Sequence, residues 1–195
     1  MPRWEPDTRG RLEQAALELY GERGFEPTTV AEIAARAGLT ERTFFRHFAD
    51  KREVLFGGTE SLQNLIVNAV AGAPTEATPI EAVAAGLEAA GEGFRVRVTQ
   101  SRLRQAIIDA NAELQARELS KLAALASAIE SVLHRRGVPA SAARLTAEAG
   151  IVVFRTAFER WIRGTDEPGW SPLVHESLDA LRAVLSGEPS PVDSQ

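Results

Sequence analysis

A chain of 195 residues, 44% of them apolar and none of them cysteine, can bury a core of medium size but cannot use a disulfide framework or a thiolate metal site. Its net charge of −5 does not suit a protein that coats nucleic acid indiscriminately. No apolar run is long enough to cross a bilayer, and Met1-Pro2-Arg3-Trp4-Glu5-Pro6-Asp7 lacks the apolar segment of a secretory signal, so a cytoplasmic protein is expected.

The apolar pattern is helical from end to end, with no alternating strand. Leu12, Ala16, Leu19 and Tyr20 mark a first helix that stops at Gly24. Thr29-Val30-Ala31-Glu32 has the spacing of a capping box and opens a second, whose buried stripe is Val30, Ile33, Ala34 and Ala37. Gly38 ends it, because glycine tolerates the left-handed conformation of a helix terminus. One residue later Thr40 can cap a third helix, with Phe44 and Phe48 on one face. Asp50 can cap a fourth, running from Lys51 to about Val70 and interrupted by Gly57-Gly58. Five more helices are expected at roughly 79–94, 99–110, 113–135, 141–163 and 172–186, followed by a frayed Pro/Ser-rich tail.

Positive charge is concentrated in one stretch. Residues 36–52 carry Arg36, Arg42, Arg46, Lys51 and Arg52 against Glu41 and Asp50, a local balance of +3 on an acidic chain. That distribution suits a specific DNA binder. Residues 29–48 read as helix, tight turn, helix. With Phe44 and Phe48 turned to the core, Arg42, Thr43, Phe45, Arg46 and His47 project outward. A helix fits the major groove, where arginine can bond guanine through two N–H groups and Thr43 or Phe45 can meet a thymine methyl. Lys51, at the head of the next helix, can grip a phosphate.

The stretch from Thr28-Thr29-Val30-Ala31-Glu32-Ile33-Ala34 through Ala37-Gly38-Leu39-Thr40 to Phe44-Phe45-Arg46-His47-Phe48-Ala49-Asp50-Lys51 closely resembles the DNA-binding signature of the tetracycline-repressor (TetR) family, and the preceding Gly24-Phe25 matches too. The resemblance covers about residues 10–56. It implies an all-α homodimer of about nine helices that usually represses transcription and leaves its DNA when a ligand binds. The DNA-facing set expected is then Thr28, Thr29, Thr40, Arg42, Thr43, Phe45, Arg46, His47 and Lys51. Two positions depart from the family pattern. Tyrosine is common where this chain has Phe45 and His47, and a small residue is common in place of Arg42.

The expected organisation is a DNA-binding domain over 1–56, a helical ligand-binding and dimerisation domain over 57–187, and a tail over 188–195. In the body no catalytic constellation or cofactor motif is visible. His47, His134 and His175 lie in different helices without ligand spacing, so no metal is expected. Phe94, Ile107, Leu125, Ile129, Phe154 and Phe158 can surround a cavity, with Arg104 or Asn111 as its polar groups. The wide apolar faces of the last two helices, including Val152, Phe158, Trp161, Val174, Leu178 and Leu181, suit a four-helix interface between two copies. The partners expected are a double-stranded DNA operator, a small-molecule effector and a second copy of the chain. The alternatives are a regulator whose body answers a protein partner, and a helical enzyme or carrier.

Overall fold

A computed structural model describes residues 7–91, 98–164 and 169–187. Among these residues there are nine α-helices, one short 3-10 turn and no strand. The helices are α1 (Thr8–Arg23), α2 (Val30–Arg36), α3 (Glu41–His47), α4 (Thr59–Gly72), α5 (Pro79–Ala89), α6 (Val98–Asp109), α7 (Ala112–Arg135), α8 (Ala140–Arg163) and α9 (Trp170–Ser186). The 3-10 turn spans Glu53–Phe56.

The fourth helix differs from its sequence expectation. It is two elements, the 3-10 turn and then α4, with Gly57-Gly58 at the junction instead of inside a helix. Asp50 accepts hydrogen bonds from the amides of Arg52 and Glu53, so its cap starts a short turn. Arg9 then takes the Gly57 carbonyl, and glycine adds little of its own to helix continuation.

The chain divides into two compact units. The first holds the residues up to Thr59 together with Thr99–Leu119. Its core joins Leu12, Leu19, Ile33, Phe44 and Phe48 to Val54, Leu55 and Phe56 of the turn, and to Ile107, Ile108 and Leu114 from α6 and α7. The second holds Glu60–Val98 and the residues from Ser120 onward. Its core is built from α4, α5, α8, α9 and the later part of α7. Close approach there depends on missing side chains. A Cβ on Gly150 would lie 2.5 Å from Val83 Cγ1, and one on Gly86 would lie 3.0 Å from the Ile66 carbonyl oxygen.

Candidate nucleic-acid interface

α3 is positioned from below and from its N-terminus. α2 begins with a complete capping box, in which the Thr29 hydroxyl accepts from the Glu32 amide and the Glu32 carboxylate accepts from the Thr29 amide at 2.9 Å. It ends at Gly38, whose φ of +67° is a conformation few side chains tolerate. Across that turn Leu39 N–H donates to the Ala34 carbonyl at 2.8 Å, and Arg11 of α1 takes the Ala37 carbonyl. Thr40 then caps α3 by accepting from the Thr43 amide. Phe44 and Phe48 are buried one turn apart, with ring centroids 5.5 Å apart. With both rings in the core, the opposite face of α3 is held outward. Arg42, Phe45 and Arg46 are exposed, Phe45 at 55%, while Thr43 and His47 are half-buried.

The basic stretch is narrower in space than in sequence. Arg36 forks onto Glu22 at 2.8 and 3.0 Å and reaches Glu18 as well. This pairing lowers the Glu22 pKa and raises that of Arg36, the hydrogen bonds being the largest cause in both. Arg52 is held by Asp50 and Glu113, and its hydrogen bonds hold the Asp50 carboxyl below the usual range. Among the described residues, Arg42 and Arg46 make no hydrogen bond or ion pair. What remains uncommitted on α3 is therefore two guanidiniums around one exposed aromatic ring. Those groups can bond guanine through two N–H donors and meet a thymine methyl.

Five of the expected DNA contacts are bonded or part-buried within the chain itself. Lys51 spends its three N–H donors on the carbonyls of Phe25, Glu26 and Thr28, at 2.9, 2.9 and 3.1 Å, with its ammonium 4.4 Å from the Phe25 ring centroid. It clamps the α1–α2 loop. Thr28 is 1% exposed and donates to the Gly24 carbonyl. Thr29 and Thr40 are exposed, but their hydroxyls serve as helix caps. His47, expected to donate outward, has a buried Nε2 without a partner. Tyr20 completes the clamp by donating to the Lys51 carbonyl at 2.6 Å, and burial pushes its phenol well above the usual range, with Asp50 adding to the shift.

Sequence reasoning missed Arg11, because its acceptor is a main-chain carbonyl that carries no residue-type signal.

Comparison with known proteins agrees with this geometry. The model of the bacterial regulatory proteins of the tetR family matches residues 13–56, and that of the MftR C-terminal domain matches 77–186, more than half of the chain. The chain belongs to the TetR family. The mycofactocin biosynthesis regulator MftR of Mycobacterium tuberculosis is 26% identical over 163 residues, covering 80% of each chain. The regulator TcmR of Streptomyces glaucescens is 37% identical over 82 residues, which span 42% of this chain and 36% of TcmR. The solved structure of FadR from Bacillus subtilis in complex with stearoyl-CoA shares the fold, with a TM-score of 0.60 at 18% identity over 88% of this chain and 96% of that one. Family and fold are those of transcription regulators.

In this TetR-family chain the residues expected around a cavity fall into both units. Arg104, Ile107 and Asn111 lie in the first. Arg104 donates to the Leu55 carbonyl at 2.6 Å, pairs with Glu118 and stands 5.1 Å from the Phe56 ring centroid. Burial lowers its pKa, with Glu118 opposing. Asn111 donates to the Ile107 carbonyl, and Ile107 is part of the core beneath α3. These side chains tie α6 and α7 to the Glu53–Phe56 turn, together with the Arg117–Glu53 and Arg52–Glu113 pairs. Leu125, Ile129 and Phe154 are buried in the core of the second unit with Phe158 packed against it, and Phe94 lies outside the described residues.

The expected interface residues also separate. Val174 and Leu178 are buried in the chain's own core, because that stripe of α9 faces inward, and Phe158, Trp161 and Leu181 pack against the same core. Val152 is exposed at 54%, joined by Leu145 at 72%, Val184 at 74% and Leu185 at 79%. No helix among the described residues is long and apolar enough to cross a membrane. Among the same residues no group of three or more His, Cys, Asp or Glu is placed to hold a metal ion.

Proposed function

We propose that this regulator is a homodimeric repressor that reads an inverted-repeat operator with α3 and leaves it when a small-molecule effector binds the second unit. The observation that carries this reading is the outward face of α3. Among the described residues Arg42 and Arg46 are its free cations, whereas Arg36, Lys51 and Arg52 are bonded within the protein. A two-fold dimer supplies two such helices, which must stand about 34 Å apart to enter successive major grooves. Because Bacillus subtilis FadR is in complex with stearoyl-CoA, long-chain acyl-CoA thioesters are the first class of effector to test.

Fluorescence anisotropy on DNA upstream of the regulator's own gene and its neighbours tests the reading helix. Arg42→Ala and Arg46→Ala should each cost about 1–3 kcal/mol on the preferred site and relax the preference at one base position, without a change in melting temperature. Base preference unchanged in both variants would remove α3 as the reader. Adding stearoyl-CoA should weaken operator binding by the same factor by which operator weakens stearoyl-CoA binding. Binding of DNA that is indifferent to acyl-CoA would discard that effector class and leave the DNA contact standing.

A further inference from the structure

Beside its two free cations, the outward face of α3 carries a carboxylate that is equally uncommitted. Glu41 is exposed and makes no hydrogen bond or ion pair among the described residues. Residues four apart share a side of a helix, so the exposed residues of α3 fall into two rows, Glu41 with Phe45 and Arg42 with Arg46. Neighbours in sequence do not face one another, which leaves Glu41 next to Arg42 without pairing to it. Arg36, Lys51 and Arg52 are bonded within the protein, so on α3 this carboxylate stands against the two arginines alone. It repels every phosphate of a duplex and costs affinity for DNA of any sequence. That cost is offset only where the carboxylate accepts a hydrogen bond from a base.

The four bases differ in what they offer an acceptor. In the major groove guanine presents two acceptors, thymine an acceptor and a methyl group, and adenine a donor beside an acceptor. Cytosine presents only the N–H donors of its N4 amino group. A carboxylate can only accept, so cytosine is the base edge that meets it with a donor and no opposing lone pair. We propose that Glu41 reads a cytosine in each half-site by accepting from that amino group, and thereby sets the specificity of this regulator at one position. The two rows of α3 then address different bases. Glu41 and Phe45 meet pyrimidines, through the cytosine amino group and the thymine methyl, while Arg42 and Arg46 meet guanines. Four residues span about 6 Å at about 1.5 Å per residue. For a helix lying along the groove that is close to two base-pair steps, so the cytosine and the thymine lie about two steps apart. This inference rests on α3 as the reading helix, and adds a base and the residue that selects it.

The test is selection of bound duplexes from a randomised pool by the full chain and by its Glu41→Gln, Glu41→Ala and Arg42→Ala variants, followed by competition titrations. The wild type should enrich a cytosine at one position of each half-site, and replacing that cytosine should weaken binding about 5- to 150-fold. Glu41→Ala should lose the preference at that position and keep the others. Glu41→Gln keeps the size of the side chain, so it should fold as the wild type does. It should move the preference at that position to adenine, whose N6 donor and N7 acceptor suit an amide. It should also bind unrelated DNA about two- to fivefold more tightly, because the repulsion is gone. A Glu41→Gln chain that selects the wild-type base at every position overturns the inference, and so does a wild type that enriches no cytosine. A preference that shifts in Arg42→Ala but not in Glu41→Gln removes only the cytosine contact, whereas no shift in any variant removes α3 as the reader as well.

Discussion

Each of the two units is held together internally by different means. In the first, polar side chains reach across sequence to main-chain carbonyls: Arg11 to Ala37, Tyr20 to Lys51, Lys51 to Phe25 and Thr28, Arg104 to Leu55. In the second, helices approach through small residues, with Gly86 against Val70 and Gly150 against Val83. Directional bonds dominate where one helix must be presented at a fixed angle to a second molecule. Area-driven packing dominates the second unit, where the requirement is a filled core. There are exceptions on the second side. Trp170 donates its indole N–H to the Leu87 carbonyl at 2.7 Å, and Arg136 caps the end of α4 by bonding the carbonyls of Ala71, Ala73 and Pro74.

The largest effect that would break this contrast is expected at Lys51. Lys51→Ala should destabilise the protein by about 1.5–3 kcal/mol in a denaturant titration, because a charged donor to three carbonyls is lost. The salt dependence of DNA binding, measured on protein that remains folded, should keep its slope. A slope reduced by about one would instead mark Lys51 as a phosphate contact.

The matching test in the second unit is Gly150→Ala. Its new Cβ would meet Val83 Cγ1 at 2.5 Å, so overpacking should cost about 1–3 kcal/mol. Val83→Ala in the same chain should recover part of that loss. A Gly150→Ala protein as stable as wild type would show that the second unit is not packed to its limit.

A smaller effect tests the Asp50 cap of the first unit by pH. The Asp50 carboxyl is held below its ordinary value of 3.8 mainly by its hydrogen bonds with Arg52. A group with a depressed folded pKa contributes its full share above its unfolded value and loses it as pH falls through the folded one. The first unit should therefore lose stability on acidification below about pH 4, and Asp50→Asn should flatten that loss while costing about 1 kcal/mol at neutral pH through the weakened cap. Thermal melts from pH 3 to 7 decide it, and equal pH slopes in the two proteins would count against the cap.

The smallest effects fall on the two junction glycines. Gly58 has nothing within 4 Å of an added Cβ, so Gly58→Ala should leave operator binding unchanged and add about 0.4–1 kcal/mol of stability. Gly57 differs, since an added Cβ would sit 2.4 Å from Glu13 Oε1 and 2.9 Å from Arg9 Nη2. These are ends of flexible side chains that can move, so Gly57→Ala should disturb the Arg9 link and cost under about 1 kcal/mol. Indistinguishable melting temperatures for the two variants would put the junction outside the first unit's polar lattice.

The sequence by itself determined the all-helical pattern of the described residues apart from the break at Gly57-Gly58, the turn around Gly38 and the outward face of α3. Each of these rests on interactions within a few residues: the Thr29–Glu32 capping box, the Thr40 cap, the positive φ of Gly38 and the i, i+4 pair Phe44 and Phe48. The same code was present and unread at Thr78, whose amide and hydroxyl both donate to Glu81 at the start of α5. Tertiary structure alone decided which charges stay free and which apolar stripes turn inward. Arg36 and Lys51 look as available in sequence as Arg42 and Arg46, until Glu22 and three carbonyls from the α1–α2 loop are folded against them. Likewise α6 carries a stripe that either unit could bury. In the first unit Ile107 and Ile108 of α6 join the core and Arg104 meets a carbonyl 49 residues away, an acceptor that has no residue type for a sequence to display.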